Sequence, residues 1–183
     1  MMSRPIRAAL ATAAGLTALV SGATTAHAAP ATSAASAPAA VKLQVAHSGK
    51  CLTIAGGSFR NGANAEQSTC VDGLDHQVFE LAPAGDGTFE VRAQHSGKCL
   101  EVRGAGTTAG VNVWQWWCGE GNHQRWRFRL VEVAKEQFEL RPEHAPNLCL
   151  EVNHSNMADG ANVEQWTCHG GDNQRWRILP VTA

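Results

Sequence analysis

Six cysteines set the plan of this chain. Cys51, Cys70, Cys99, Cys118, Cys149 and Cys168 form three pairs that each span 19 residues, and the first member of each pair recurs after 48 and then 50 residues. Flanking residues repeat with them. His47-Ser48-Gly49-Lys50-Cys51-Leu52 returns as His95-Ser96-Gly97-Lys98-Cys99-Leu100 and, with one residue added, as His144-Ala145-Pro146-Asn147-Leu148-Cys149-Leu150. Beyond each second cysteine come Gln77-Val78-Phe79, Gln124-Arg125-Trp126 and Gln174-Arg175-Trp176. A unit of about 45–50 residues suits solenoids and propellers, but three copies close a ring better than they extend an array.

Each unit holds four short runs between turn formers, and none has helical periodicity. In the third unit the runs lie near Phe138–Arg141, Cys149–Val152, Asn162–Cys168 and Gln174–Leu179. Twelve short strands in three equivalent lobes predict an all-β chain of pseudo-threefold symmetry, a β-trefoil. The Trp of each Gln-x-Trp then enters a shared core, with Phe79 in its place in the first lobe, and the Gln is free to bond backbone near the end of its lobe. The lobes are expected at about 41–86, 87–134 and 135–183.

The N-terminus reads as an export signal. Arg4 and Arg7 precede an apolar run from Ala8 to Val20, and Ala26-His27-Ala28 carries small residues at the positions a signal peptidase inspects. The run is shorter than the roughly 20 apolar residues a bilayer requires, so no membrane span is expected. The reading is a signal peptide over 1–28, an Ala/Ser/Pro-rich leader or linker over 29–40, and a globular part over 41–183. A secreted, extracellular protein follows. Loss of Arg4 and Arg7 leaves 13 basic against 16 acidic residues, a formal charge of −3. Nucleic acid is a poor partner for such a chain.

The threefold Gln-x-Trp, the paired cysteines and the Cys-Leu-Glu-Val strand resemble a ricin B-type lectin domain, a β-trefoil carbohydrate-binding module, over the whole of 41–183. The resemblance implies a non-catalytic, lectin-like protein that binds galactose- or xylose-type sugars or polysaccharide as a monomer and without a cofactor. The alternative is a β-trefoil that binds protein, such as a secreted protease inhibitor. Six cysteines allow fifteen connectivities, and the repeat prefers Cys51–Cys70, Cys99–Cys118 and Cys149–Cys168, because equivalent segments do equivalent things. No zinc spacing of the Cys-x-x-Cys or His-x-x-x-His type occurs.

Ricin-type lobes bind sugar with an acidic residue two after the first Cys, an aromatic two before the second, and a polar residue with Gln ahead of the core Trp. Carried over, the second lobe offers Glu101, Trp116, His123 and Gln124, and the third offers Glu151, Trp166, Asn173 and Gln174. Thr53, Ser68, His76 and Gln77 lack the carboxylate and the platform, so the first lobe is expected to be silent. The family usually has Asp where this chain has Glu101 and Glu151. With Val163 inward, strand alternation turns Trp166 outward beside Glu164. Trp114 is read as extending the surface and Trp117 as packing. Asn153-His154-Ser155 fits a glycosylation acceptor. A glycoside hydrolase needs two carboxylates roughly 5–9.5 Å apart, whereas Glu101 and Glu151 belong to different lobes.

Overall fold

The computed structural model describes residues 39–181. The expected export signal and residues 29–38 of the expected leader lie outside them. The first lobe supplies β1 (Ala39–Val45), β2 (Cys51–Ile54), β3 (Ala65–Ser68) and β4 (Phe79–Gly85). The second supplies β5 (Thr88–Ala93), β6 (Cys99–Val102), β7 (Val111–Trp116) and β8 (Arg125–Glu132). The third supplies β9 (Gln137–Pro142), β10 (Leu148–Val152), β11 (Ala161–Thr167) and β12 (Trp176–Pro180). Two boundaries differ from the sequence reading. Ala39 and Ala40 belong to β1, where they pair with Leu81 and Glu80, because backbone pairing needs no side-chain pattern. Gln174 lies in a single 3-10 turn ahead of β12, not in the strand.

Six strands close a barrel. β1 pairs with β4 and β12, β4 with β5, β5 with β8, β8 with β9, and β9 with β12, all antiparallel. The other six form the hairpins β2–β3, β6–β7 and β10–β11, and β11 joins both β3 and β7 across the pseudo-threefold axis. This is a β-trefoil. Leu43, Val45, Val91, Leu140 and their hairpin counterparts Leu52, Leu100 and Leu150 fill one core.

Phe79, Trp126 and Trp176 are fully buried at equivalent places in that core. The two indoles donate Nε1–H to the carbonyls of Leu100 and Leu150, each at 3.0 Å. A buried indole N–H requires such a partner. Phe79 fills the third place without carrying a donor. The cysteines pair within lobes as the repeat predicted, with Cα–Cα separations of 5.0–5.2 Å, inside the range that disulfide geometry allows.

Adjacent lobes are stitched by a repeated device. Gln67, Gln115 and Gln165 donate from Nε2 to two carbonyls of the neighbouring lobe: Asn156 and Ala158, Ser58 and Arg60, Gly106 and Thr108. His47, His95 and His144 reach the first carbonyl of each set through Nε2 at 2.9–3.1 Å. Ser48 and Ser96 donate to the Oε1 atoms of Gln67 and Gln115. Ala145 stands at that place in the third lobe, and Gln165 Oε1 is buried without a partner.

Candidate functional site

The hairpins present the expected residues by simple register. In β6–β7, Glu101 lies opposite Trp114 and Cys99 opposite Trp116; in β10–β11, Glu151 lies opposite Glu164 and Cys149 opposite Trp166. Residues opposed across antiparallel strands share a face. Val102, Val113, Val152 and Val163 enter the core, so the Glu and Trp side chains take the outer face. No bulge interrupts either register. Trp116 and Trp166 are 38% and 39% exposed, each offering part of its ring to a ligand. Each ring also rests against a glycine of the preceding lobe: a Cβ on Gly110 would stand 3.3 Å from Trp166, and one on Gly62 3.7 Å from Trp116.

The carboxylates sit deeper. Glu101 and Glu151 are each 5% exposed, and such burial demands hydrogen bonds. Gln124 Nε2 donates to Glu101 Oε2 at 2.5 Å and Gln174 Nε2 to Glu151 Oε2 at 2.6 Å. The same amides donate to the carbonyls of Trp117 and Thr167, and their Oε1 atoms accept from the backbone of Gly119 and His169. Both glutamines are buried and committed to protein atoms, so they act as positioning residues beneath the carboxylates. Asn173 is likewise buried, its Nδ2 donating to the Val152 carbonyl. His123 remains half-exposed with Nε2 3.5 Å from Glu101 Oε2. In the third lobe that flank is taken by His169, whose Nε2 lies 3.1 Å from Glu151 Oε2. Spacing from the core Trp pointed to Asn173; the residue brought to the carboxylate directly follows the second Cys.

The two lobes finish the cleft differently. Trp114 Nε1–H donates to Glu101 Oε1 at 3.0 Å while its ring stacks on Trp116, with centroids 5.3 Å apart. Protein donors therefore fill both oxygens of Glu101. At the matching place in the third lobe stands a second carboxylate, Glu164, which is 6% exposed and accepts from Asn153 Nδ2 at 2.5 Å. Trp117 departs from expectation. It lies beyond the end of β7, is 65% exposed, and carries the Lys98 ammonium 3.5 Å from its ring centroid.

The first lobe carries a carboxylate on the opposite strand: Glu66 faces Thr53 across β2–β3. Burial pushes the Glu66 carboxyl above the ordinary carboxylate range, and the charge of Asp159 adds to this. Gln77 Nε2 donates to Thr53 Oγ1, and no aromatic stands at Ser68. Burial holds the His76 imidazole below its ordinary range, with the neighbouring His95 contributing. Asp159 of the third lobe reaches over to Lys50 and to the backbone N–H of Thr69. The only carboxylate clusters near sulfur among the described residues, around Glu90 and Glu139, involve cysteines already joined as disulfides. No helix among those residues is long and apolar enough to cross a membrane.

A closed β-trefoil with outward indole rings over buried, glutamine-held carboxylates defines a lectin-type binding domain. The model of the ricin-type beta-trefoil lectin domain-like family matches residues 32–116, 75–163 and 122–183. The chain belongs to that family. Among solved structures it is similar to a designed threefold-symmetric protein, ThreeFoil, with 38% identity, a TM-score of 0.73, and coverage of 78% of this chain and 99% of that one. An exo-beta-1,3-galactanase from Clostridium thermocellum is 28% identical with a TM-score of 0.73; the match covers 78% of this chain but 30% of the enzyme. The fold is also shared with a ricin B-like lectin from Macrolepiota procera, solved in complex with lactose, at 16% identity and a TM-score of 0.67, covering 79% and 96% of the two chains. A search of curated proteins returns no match.

Proposed function

We propose that the chain is a secreted, non-catalytic carbohydrate-binding protein that holds galactose- or xylose-type sugars, free or in a polysaccharide, at its second and third lobes. The observation that carries this reading is the pairing of Trp116 with Glu101 and of Trp166 with Glu151 on one face of each hairpin. A sugar ring stacks its C–H face on an indole and offers its hydroxyls to polar groups held at a fixed depth beside it. The family model and the lactose-bound neighbour of like fold support the same class of ligand.

Adsorption to a panel of galactose- and xylose-containing polysaccharides tests the reading. Retention is expected to survive moderate salt, because an uncharged sugar gains nothing from counterion release. No reducing sugar should appear in the supernatant. A protein retained by none of the panel, yet active against secreted proteases, would instead be the protein-binding trefoil.

A further inference from the structure

We propose that the third-lobe cleft takes a sugar bearing a protonated primary amine, held between Glu151 and Glu164 with its ring on Trp166; this rests on the carbohydrate-binding reading above. The two carboxylates are direct partners across β10–β11. Like charges directly opposed in a sheet are destabilising, and here both side chains are more than nine-tenths buried. No Lys or Arg among the described residues forms an ion pair with either. Gln174 and His169 occupy Glu151 Oε2, and Asn153 occupies Glu164 Oε1. Glu151 Oε1 and Glu164 Oε2 have no hydrogen-bond partner among the described residues, and neither is sealed from solvent.

Two unfilled acceptors, on carboxylates that are partners across one strand pair, call for a cation with at least two N–H donors. A primary ammonium has three. An ammonium adds a direct Coulomb attraction to both carboxylates that a neutral hydroxyl lacks, which favours an amine over a hydroxyl at this place. A calcium ion would take about 6–8 oxygens, and only two are free. Trp166 adds an indole face, which attracts cations as well as C–H surfaces. The second lobe is the internal control, since Trp114 Nε1–H already fills the corresponding oxygen of Glu101.

Calorimetric titration of the whole protein with galactosamine hydrochloride and with galactose, at about pH 6 where an amine is protonated, tests the proposal. Galactosamine should bind the third lobe about tenfold or more tightly than galactose, and raising the pH above the amine pKa should remove the difference. Glu164→Gln should erase the preference, whereas Glu66→Gln in the first lobe should leave it in place. The double change Arg103→Asn with Trp114→Glu, which copies Asn153 and Glu164 into the second lobe and removes the guanidinium 5.6 Å from the Trp114 ring, should build a second amine-preferring site, read as added stoichiometry. Equal affinities in the wild type, a preference that survives Glu164→Gln, or calcium that displaces galactosamine would overturn the amine assignment while galactose binding stands. Binding of neither sugar would overturn this proposal, and retention by none of the polysaccharide panel would overturn the carbohydrate reading as well.

Discussion

Trp114 and Glu164 hold equivalent places on β7 and β11 yet treat the facing carboxylate in opposite ways: the indole N–H of Trp114 bonds Glu101 Oε1 at 3.0 Å, whereas Glu164 sets a second acid opposite Glu151. This position sets apart two clefts built on the same register. The second lobe is neutralised from within and extended by stacked indoles. The third lobe keeps open acceptors beside a single ring. A ligand chain that spans both meets different chemistry at its two contacts.

Single Trp116→Ala or Trp166→Ala should halve the stoichiometry for a soluble monovalent sugar. Retention on a long polysaccharide should fall much further, on the order of 100-fold, because two linked contacts gain avidity that one lacks. Both rings lie on the outer face, so melting temperatures should stay near wild type. The double substitution should abolish binding; three equal sites by calorimetry would contradict the arrangement.

Ala145→Ser should stabilise the protein by about 1 kcal/mol. The hydroxyl would stand where Ser48 and Ser96 donate to Gln67 and Gln115, and would satisfy the buried, unpartnered Oε1 of Gln165. Denaturant unfolding at constant m-value reads the gain. No change in midpoint would mean that the residue inserted after Ala145 shifts the turn out of reach.

Glu66 gives a pH signature of defined sign. Its carboxyl is raised in the folded state, by burial and then by Asp159, so the folded protein binds its proton more readily than the unfolded chain does. The resulting penalty is complete above the raised pKa and is relieved as pH falls through it toward the ordinary carboxylate value. Glu66→Gln should therefore stabilise at neutral pH, with the advantage shrinking on acidification. Asp159 has the opposite sign, because its hydrogen bond from Lys50, followed by that from Thr69, holds its carboxyl below the usual range. Lys50→Ala should lower stability at neutral pH and make less difference in acid, as followed by thermal melts across pH.

Replacing Cys99 and Cys118 together by Ala should cost about 2–4 kcal/mol, since the bridge closes a loop between residues 19 apart. Non-reducing peptide mapping of the wild type should return the three links within lobes and no link between them.

Much of the site was legible because β-strands alternate with a period of two. Val163 inward obliges Glu164 and Trp166 outward, and an unbroken register from Leu148–Thr167 to Val152–Val163 keeps that assignment true along the hairpin. Trp117 escaped the same logic. It follows the last residue of β7, where alternation stops, and the ammonium that lies over its ring comes from Lys98 of another segment. The glutamines before the core positions were legible as backbone partners. That they also hold Glu101 and Glu151 at 2.5–2.6 Å needed the folded lobe.

The repeated Cys pairs and Gln-x-Trp units by themselves determined three lobes, their disulfides, the trefoil and the outward tryptophans, because each of these is local to one unit or follows from equivalence between units. The packing of the lobes against one another decided the remainder. It brings Asp159 to Thr69 across 90 residues of chain, seats Gly110 against Trp166, and carries Gln165 to the carbonyls of Gly106 and Thr108. Such contacts join side chains whose positions relative to one another are set by the packing of a shared core, and no spacing within a single repeat encodes them.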